Sequence, residues 1–439
     1  MKKIAVLTFP GMNCEVETAR AIKKSGLKSE IILWNSKAKL LQKFDGCVLP
    51  GGFSFEDRGR SGMVASKEEI LQTVKQMADQ EKPILGICNG AQVLIESGLA
   101  PDLRGEKKIE ASLGMNKRVN EKGKILGTGY FHKWVYIKST ASIRRSAFNF
   151  FDFIFHLPIA HGEGRFQFST EIGKAILKNQ QNIFSYCDNK GEIKENFPIN
   201  PNGSYKNIAG ISNKLGNVLA LMPHPERNLQ SCQPIFLSMR KYLSNKKLFS
   251  LNKKLILNLP LNKKKSAQKN DYLKIKKFPI QFFITLKITD NSEKTIEKTL
   301  QKVYKNQNIK IKRRLFWGFE SIEKDLKKTA LKIIKSGEVF NENKENLIIK
   351  LKDKYFTFNQ GKLIENDFCL EKNSFLALEK ENFIAKEKSE KISKNFSINL
   401  KEISHAIIWS FLKKPQDLST LEEAAILSNP IAGKLIKIS

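Results

Sequence analysis

The stretch Pro83-Ile-Leu-Gly86-Ile-Cys88-Asn-Gly90-Ala-Gln92 carries an apolar run into a helix-like run through a Gly-x-Cys-x-Gly turn. It is the thiol counterpart of the Gly-x-Ser-x-Gly nucleophile elbow. So sharp a strand-to-helix turn needs small residues on either side, because a side chain there would strike the neighbouring backbone. The turn exposes the sulfur at the end of a sheet. It also aims the next helix's free N–H groups and positive dipole end at that sulfur, which favours thiolate over thiol. A cysteine in a short apolar segment is ordinarily inert core. What sets Cys88 apart is its pair of glycines and its partners elsewhere in the chain.

Outward from this turn, short apolar runs alternate with helical periodicity. Ile4–Phe9, Glu30–Trp34, Gly46–Leu49 and Ile84–Ile87 read as strands, and Glu15–Ser25 and Lys67–Asp79 as helices. That alternation predicts an α/β domain over residues 1–244, with a mainly parallel sheet and helices on both faces. Ligands of such folds bind at the carboxyl ends of the strands. Pro50-Gly51-Gly52 and Cys88 both fall there. The opening Met1–Pro10 run is too short for a signal peptide and reads as the first strand.

A cysteine nucleophile needs a base and a group to orient it. Of five histidines, His224 stands at the end of an apolar run in Met222-Pro-His224-Pro-Glu226. The prolines fix the backbone, so imidazole and carboxylate project together. A carboxylate on one ring nitrogen leaves the other free to take the thiol proton. Acyl transfer also needs an oxyanion hole. The backbone N–H groups of Asn89 and Gly52 are the candidates.

These residues resemble the class I glutamine amidotransferase family, whose fold is flavodoxin-like. Phe9-Pro-Gly-Met-Asn-Cys14, Gly51–Gly62, Pro158–Phe166 and Asn200–Ser204 narrow the resemblance to the glutaminase subunits of phosphoribosylformylglycinamidine synthase, the PurQ family. The resemblance implies that Cys88 attacks the side-chain amide of glutamine and forms a thioester. His224 would be base and then acid, and Glu226 would orient it. Gly52 and Asn89 would hold the oxyanion, and Gly51, Gly52 and Gln92 would bind glutamine. Ammonia would pass to a PurL-like synthetase subunit, which uses ATP and Mg to make formylglycinamidine ribonucleotide. This chain itself would need no cofactor and no metal. The resemblance sets His161 in a loop beside the glutamine site or the synthetase interface, not as the base. The chain departs from the family at Lys133-Trp134, where an Arg-Trp pair is usual, and in the Phe-rich stretch Phe148–Phe155.

Residues 245–278 are rich in Lys and Asn and read as a linker. Beyond them a degenerate repeat of small α+β units is expected, over 279–352 and 372–439. Leu315-Phe-Trp317-Gly-Phe319 corresponds to Ile407-Ile-Trp409-Ser-Phe411, and Asn341 to Asn429. Each unit is similar to PurS, the small bridging subunit of the same synthase, so the resemblance implies a bridge supplied in cis. A single irregular α+β domain is the alternative.

The net charge of +32 is spread over both halves and comes mostly from Lys. Without a recognition motif it argues against a nucleic-acid partner. No apolar run has membrane-spanning length. Six scattered cysteines without metal spacing point to a reducing, cytoplasmic setting. The competing functional readings are a class I amidotransferase serving another synthetase, and a basic nucleic-acid-binding or scaffold protein.

Overall fold

Ile4, Ala5, Val6 and Leu7 are all fully buried, a continuous run typical of a strand covered on both faces. The computed structural model describes residues 1–228, 233–249, 278–413, 420–421 and 425–438. Contacts divide the chain into two units, Met1–Pro260 and Leu261–Ser439. The region expected as a linker falls mostly outside the described residues. At its start, Lys246–Leu248 form a 3-10 turn, and Phe249 is buried against the first unit's core.

In the first unit the strands are β1 (Lys3–Thr8), β2 (Lys28–Leu33), β3 (Gly46–Leu49), β4 (Ile84–Ile87), β5 (Ser112–Met115), β6 (Lys117–Val119), β7 (Ile125–Thr128), β8 (Phe131–Ser139), β9 (Ile154–His161), β10 (Glu163–Gln167), β11 (Asn182–Cys187), β12 (Ile208–Ser212) and β13 (Val218–Leu221). Nine of them form one sheet in the order β2-β1-β3-β4-β13-β12-β11-β8-β9. The first five are parallel. The rest continue antiparallel. The fold is thus the α/β arrangement expected, but its parallel character stops at β13. Local periodicity gave no sign of this extension, because antiparallel pairing is decided by where the chain returns.

Helices cover both faces. Gly46 and Leu49 lie three apart on β3, so they face opposite sides. A Cβ at Gly46 would meet Met239 of the helix Gln233–Ser244, while the Leu49 carbonyl backs onto Gly90 of the helix Asn89–Glu96. The expected helix Lys67–Asp79 forms only over Ile70–Asp79.

The second unit is one antiparallel sheet of β14 (Ile280–Leu286), β15 (Ile311–Ser321), β16 (Glu345–Leu351), β17 (Lys354–Asn359), β18 (Lys362–Asn366), β19 (Ser374–Glu379), β20 (Leu400–Phe411) and β21 (Gly433–Lys437). Their order is β18-β17-β16-β14-β15-β20-β19-β21. Helices Asn291–Val303, Leu326–Lys335 and Phe383–Phe396 open on the side-chain caps Asp290, Asp325 and Asn382. The two repeats join edge to edge through β15 and β20, where Leu315 faces Ile407 and Trp317 faces His405. Leu315 and Ile407 are also the residues that correspond in the repeat, so a local twofold axis runs through that pair. The expected helix Leu418–Ala425 lies largely outside the described residues. The β17–β18 hairpin fills the segment between the repeats.

Candidate active site

Cys88 takes φ 50° and ψ −105°. That is a strained backbone for a residue with a Cβ, tolerated where the surroundings fix it. Its N–H donates to the Leu221 carbonyl at 2.8 Å, and its own carbonyl accepts from the Gln92 N–H at 3.1 Å. The flanking glycines are required by packing. A Cβ at Gly86 would lie 2.5 Å from the Gly90 oxygen, and one at Gly90 would collide with the Leu49 carbonyl. The sulfur is 3.8 Å from the Ala160 carbonyl of β9. It stands at the N-terminus of Asn89–Glu96, where helix N–H groups have no intrahelical acceptor.

His224 follows β13, and its N–H is anchored on the Pro158 carbonyl at 2.9 Å. The 3-10 turn Pro225–Arg227 brings Glu226 back, so that Oε1 lies 2.6 Å from Nδ1. Both side chains are buried. Burial alone would push the imidazole pKa down. The Glu226 carboxylate, Cys88 and Cys14 outweigh it and hold the ring well above 6.5. Three strand ends, those of β3, β4 and β13, therefore converge on one thiol, one imidazole and one carboxylate.

Gly51 and Gly52 line this cluster. A Cβ at Gly51 would sit 2.6 Å from His224 Cε1 and 3.1 Å from Cys14 Sγ, so the imidazole occupies space that only glycine leaves. Gly52, at φ 140°, bridges Met12, and a Cβ there would lie 2.5 Å from the Met12 Cα. The Gly51 carbonyl accepts from the N–H groups of Asn13 and Cys14 at 3.3 Å, and Phe53 N–H donates to Gly11 at 3.0 Å. This pattern turns the Gly52 N–H away from the bridge. Asn89 N–H, at the first helical position, has no partner within its helix.

Asn89 and Gln92 do further work with their side chains. Asn89 Oδ1 accepts from Ser54 N–H at 3.0 Å, and its Nδ2 donates to Asp57 at 3.1 Å and to Gln92 Oε1 at 2.9 Å. Gln92 Nε2 in turn donates to the Glu163 carbonyl at 2.6 Å. The Gln92 amide is thus engaged on both its atoms by the protein. Burial, and then the nearby Glu163, push the Asp57 carboxyl up to about 7. His161 has Nδ1 3.2 Å from Asn116 Oδ1, and its Nε2 is buried without a partner among the described residues. Burial, and then His224, push its pKa down to about 3, so the ring is neutral. His156 stacks on Tyr136, and His405 belongs to the second unit.

The residue that sequence reading left without a role is Cys14. It follows β1, touches His224, and accepts from Arg227 Nη2 at 3.2 Å. Its only signal in the sequence was its place in the Phe9–Cys14 motif.

The family of CobB/CobQ-like glutamine amidotransferase domains matches residues 1–254. The phosphoribosylformylglycinamidine synthase subunit PurQ of Methanothrix thermoacetophila is 40% identical over 264 residues, which cover 56% of this chain and 99% of that protein. The PurQ subunit of Pyrococcus furiosus is 38% identical over 229 residues, 52% of this chain and 89% of that protein. That of Aquifex aeolicus is 39% identical over 229 residues, 51% and 90% respectively. A structure of PurLQS from Thermotoga maritima aligns over 55% of this chain and 99% of that chain, at 29% identity and a TM-score of 0.42.

Proposed function

This chain belongs to the CobB/CobQ-like glutamine amidotransferase family and, within it, to the PurQ glutaminase subunits of phosphoribosylformylglycinamidine synthase, an enzyme of purine biosynthesis; from that premise we propose how its residues divide the work. Cys88 Sγ attacks the side-chain carbonyl of glutamine and His224 takes the thiol proton. Glu226 holds the Nδ1 proton and stabilises the imidazolium. The N–H groups of Gly52 and Asn89 receive the oxyanion. As the C–N bond breaks, His224 returns the proton to the departing ammonia, leaving a glutamyl thioester on Cys88. Water, deprotonated by the same imidazole, then releases glutamate and restores the thiol. Gly51 and Gly52 form one wall of the glutamine site. Gln92 acts on that site through its bonds to Asn89 and Glu163, a positioning role in place of the direct contact that the family resemblance implies.

The observation that carries this reading is the left-handed Cys88 at a helix N-terminus, with a buried His224–Glu226 pair at 2.6 Å whose ring is held well above its ordinary pKa by Glu226 and Cys88. The ammonia goes to a PurL-type synthetase, which supplies ATP and Mg chemistry outside this chain. The second unit, with its twofold-related repeats, serves as a PurS-like bridge to that synthetase in cis. The reaction takes place in the cytoplasm, where glutamine and reduced thiols are available. Among the described residues no helix is long and apolar enough to cross a membrane.

The test is glutamine hydrolysis by the full chain, alone and with a PurL-type synthetase, for wild type and Cys88→Ala. Cys88-dependent ammonia and a trapped glutamyl thioester support the reading. Ammonia release that Cys88→Ala leaves intact overturns it.

A further inference from the structure

We propose that Cys14, His224 and Glu226 form a binding site for one soft divalent cation of the zinc type, overlapping the catalytic cluster. One ligating atom from each lies within 4.8 Å of the other two, and all three residues are buried. Zinc bonds thiolate at about 2.3 Å and imidazole at about 2.0–2.1 Å, so an ion seated between these atoms needs only small side-chain adjustments. A thiolate, an imidazole and a carboxylate suit zinc or cobalt; magnesium and calcium prefer oxygen alone. Glu226 Oε2 is buried without a hydrogen-bond partner among the described residues. It is an unsatisfied acceptor that an ion would satisfy.

The cradle is rigid on two sides. Gly51 packs against both His224 and Cys14. Arg227 lies on Cys14, with its own charge balanced by Glu17 at 2.9 Å. Each ion displaces one proton, that of the Cys14 thiol, shifts the proton of the neutral His224 ring from Nδ1 to Nε2, and leaves a fourth position to water. With Nδ1 coordinated, the remaining ring proton sits on Nε2. The ring can then no longer take a proton from Cys88, so an occupied site is a silenced one. Binding stands on these coordinates alone. The silencing rests on the proposed glutaminase chemistry.

The probe is Co2+ titrated into the reduced chain in a Cys369→Ser background, which removes the exposed thiol among the described residues. The expected result is thiolate-to-cobalt charge-transfer absorption that saturates at one ion per chain and is displaced by Zn2+. Cys88→Ala keeps the band and Cys14→Ser loses it. Glu226→Gln weakens cobalt binding by about tenfold or more. Should Cys14→Ser fail to fold, Glu226→Gln carries the test. No band in the parent chain, a band that survives Cys14→Ser, one lost in Cys88→Ala, or unchanged affinity in Glu226→Gln overturns the proposal. Because the readout is absorption, its failure would leave the glutaminase reading untouched.

Discussion

Replacing Glu226 with Gln tests the cluster most directly. The side chain keeps its size but loses its charge 2.6 Å from His224 Nδ1. If the new amide turns its oxygen to the ring, a charge-assisted hydrogen bond becomes a neutral one. The difference is about 1–2 kcal/mol, roughly a 5- to 30-fold loss in rate. If it turns its NH2 instead, the ring must carry its proton on Nε2 and cannot accept from Cys88. In a Ser-His-Asp triad that tautomer error costs on the order of 10^4-fold. Glu226 Oε2 has no partner among the described residues to decide between these orientations, so kcat should fall between those limits. The pH dependence shows the mechanism separately. In the parent chain burial lowers the proton affinity of His224, but Glu226 and the two thiols hold it well above 6.5. In the variant the acid limb of the profile, which reports the base, should move to lower pH. A group raised in this way adds folding stability that is complete below 6.5 and lost as pH rises through the folded value. The variant should lose that contribution as well. Ammonia release measured across pH is the assay. Activity within about threefold of the parent, less than roughly 0.7 kcal/mol, with an unmoved acid limb, would refute the assignment of Glu226.

Three further perturbations probe the framework. Gly90→Ala drives a Cβ into the Leu49 carbonyl, a backbone atom that cannot step aside, so urea unfolding should show a loss of about 1–3 kcal/mol together with loss of hydrolysis. Asp57→Asn mimics the protonated acid. Burial and Glu163 raise Asp57 from 3.8 to about 7, so its stability contribution is complete below 3.8 and is lost as pH rises through about 7. Above that pH the Asn variant should be the more stable, by on the order of 1–2 kcal/mol after discounting for partial exposure; equal melting curves at pH 8 would count against the shift. In the second unit, buried Arg314 grips Glu371 with bonds of 2.8 and 2.7 Å and also reaches Ser410. Arg314→Ala should release the segment after β18 and speed its proteolysis, with about 1–3 kcal/mol lost; an unchanged cleavage pattern would show that the grip is dispensable.

How far the sequence could be read depends on how local each signal is. The elbow was legible because Gly86, Cys88 and Gly90 are adjacent in sequence, and their small size answers contacts within one turn. His224 and Glu226 were legible for the same reason, since two prolines set their geometry within a few residues. Four of the five parallel strands, β1, β3, β4 and β13, announced themselves as apolar runs; the edge strand β2 is half polar. The β17–β18 hairpin also carried a local signal that the reading passed over. Gln360 and Gly361 both take positive φ, 44° and 77°, as a tight two-residue hairpin turn requires.

By itself, then, the sequence pointed to Cys88, His224 and Glu226 as the candidate nucleophile, base and orienting carboxylate, to the α/β class of the first unit and to a repeat in the second. Each rests on chemistry confined to a few neighbouring residues. Only the tertiary structure decided that the first sheet turns antiparallel beyond β13. It alone joined the repeats into one sheet about the Leu315–Ile407 pair. It alone set Cys14 against His224, although they lie 210 positions apart in the chain. Strand partners and buried contacts of that kind depend on where the chain returns in space, and hydrophobic periodicity along the chain does not record it.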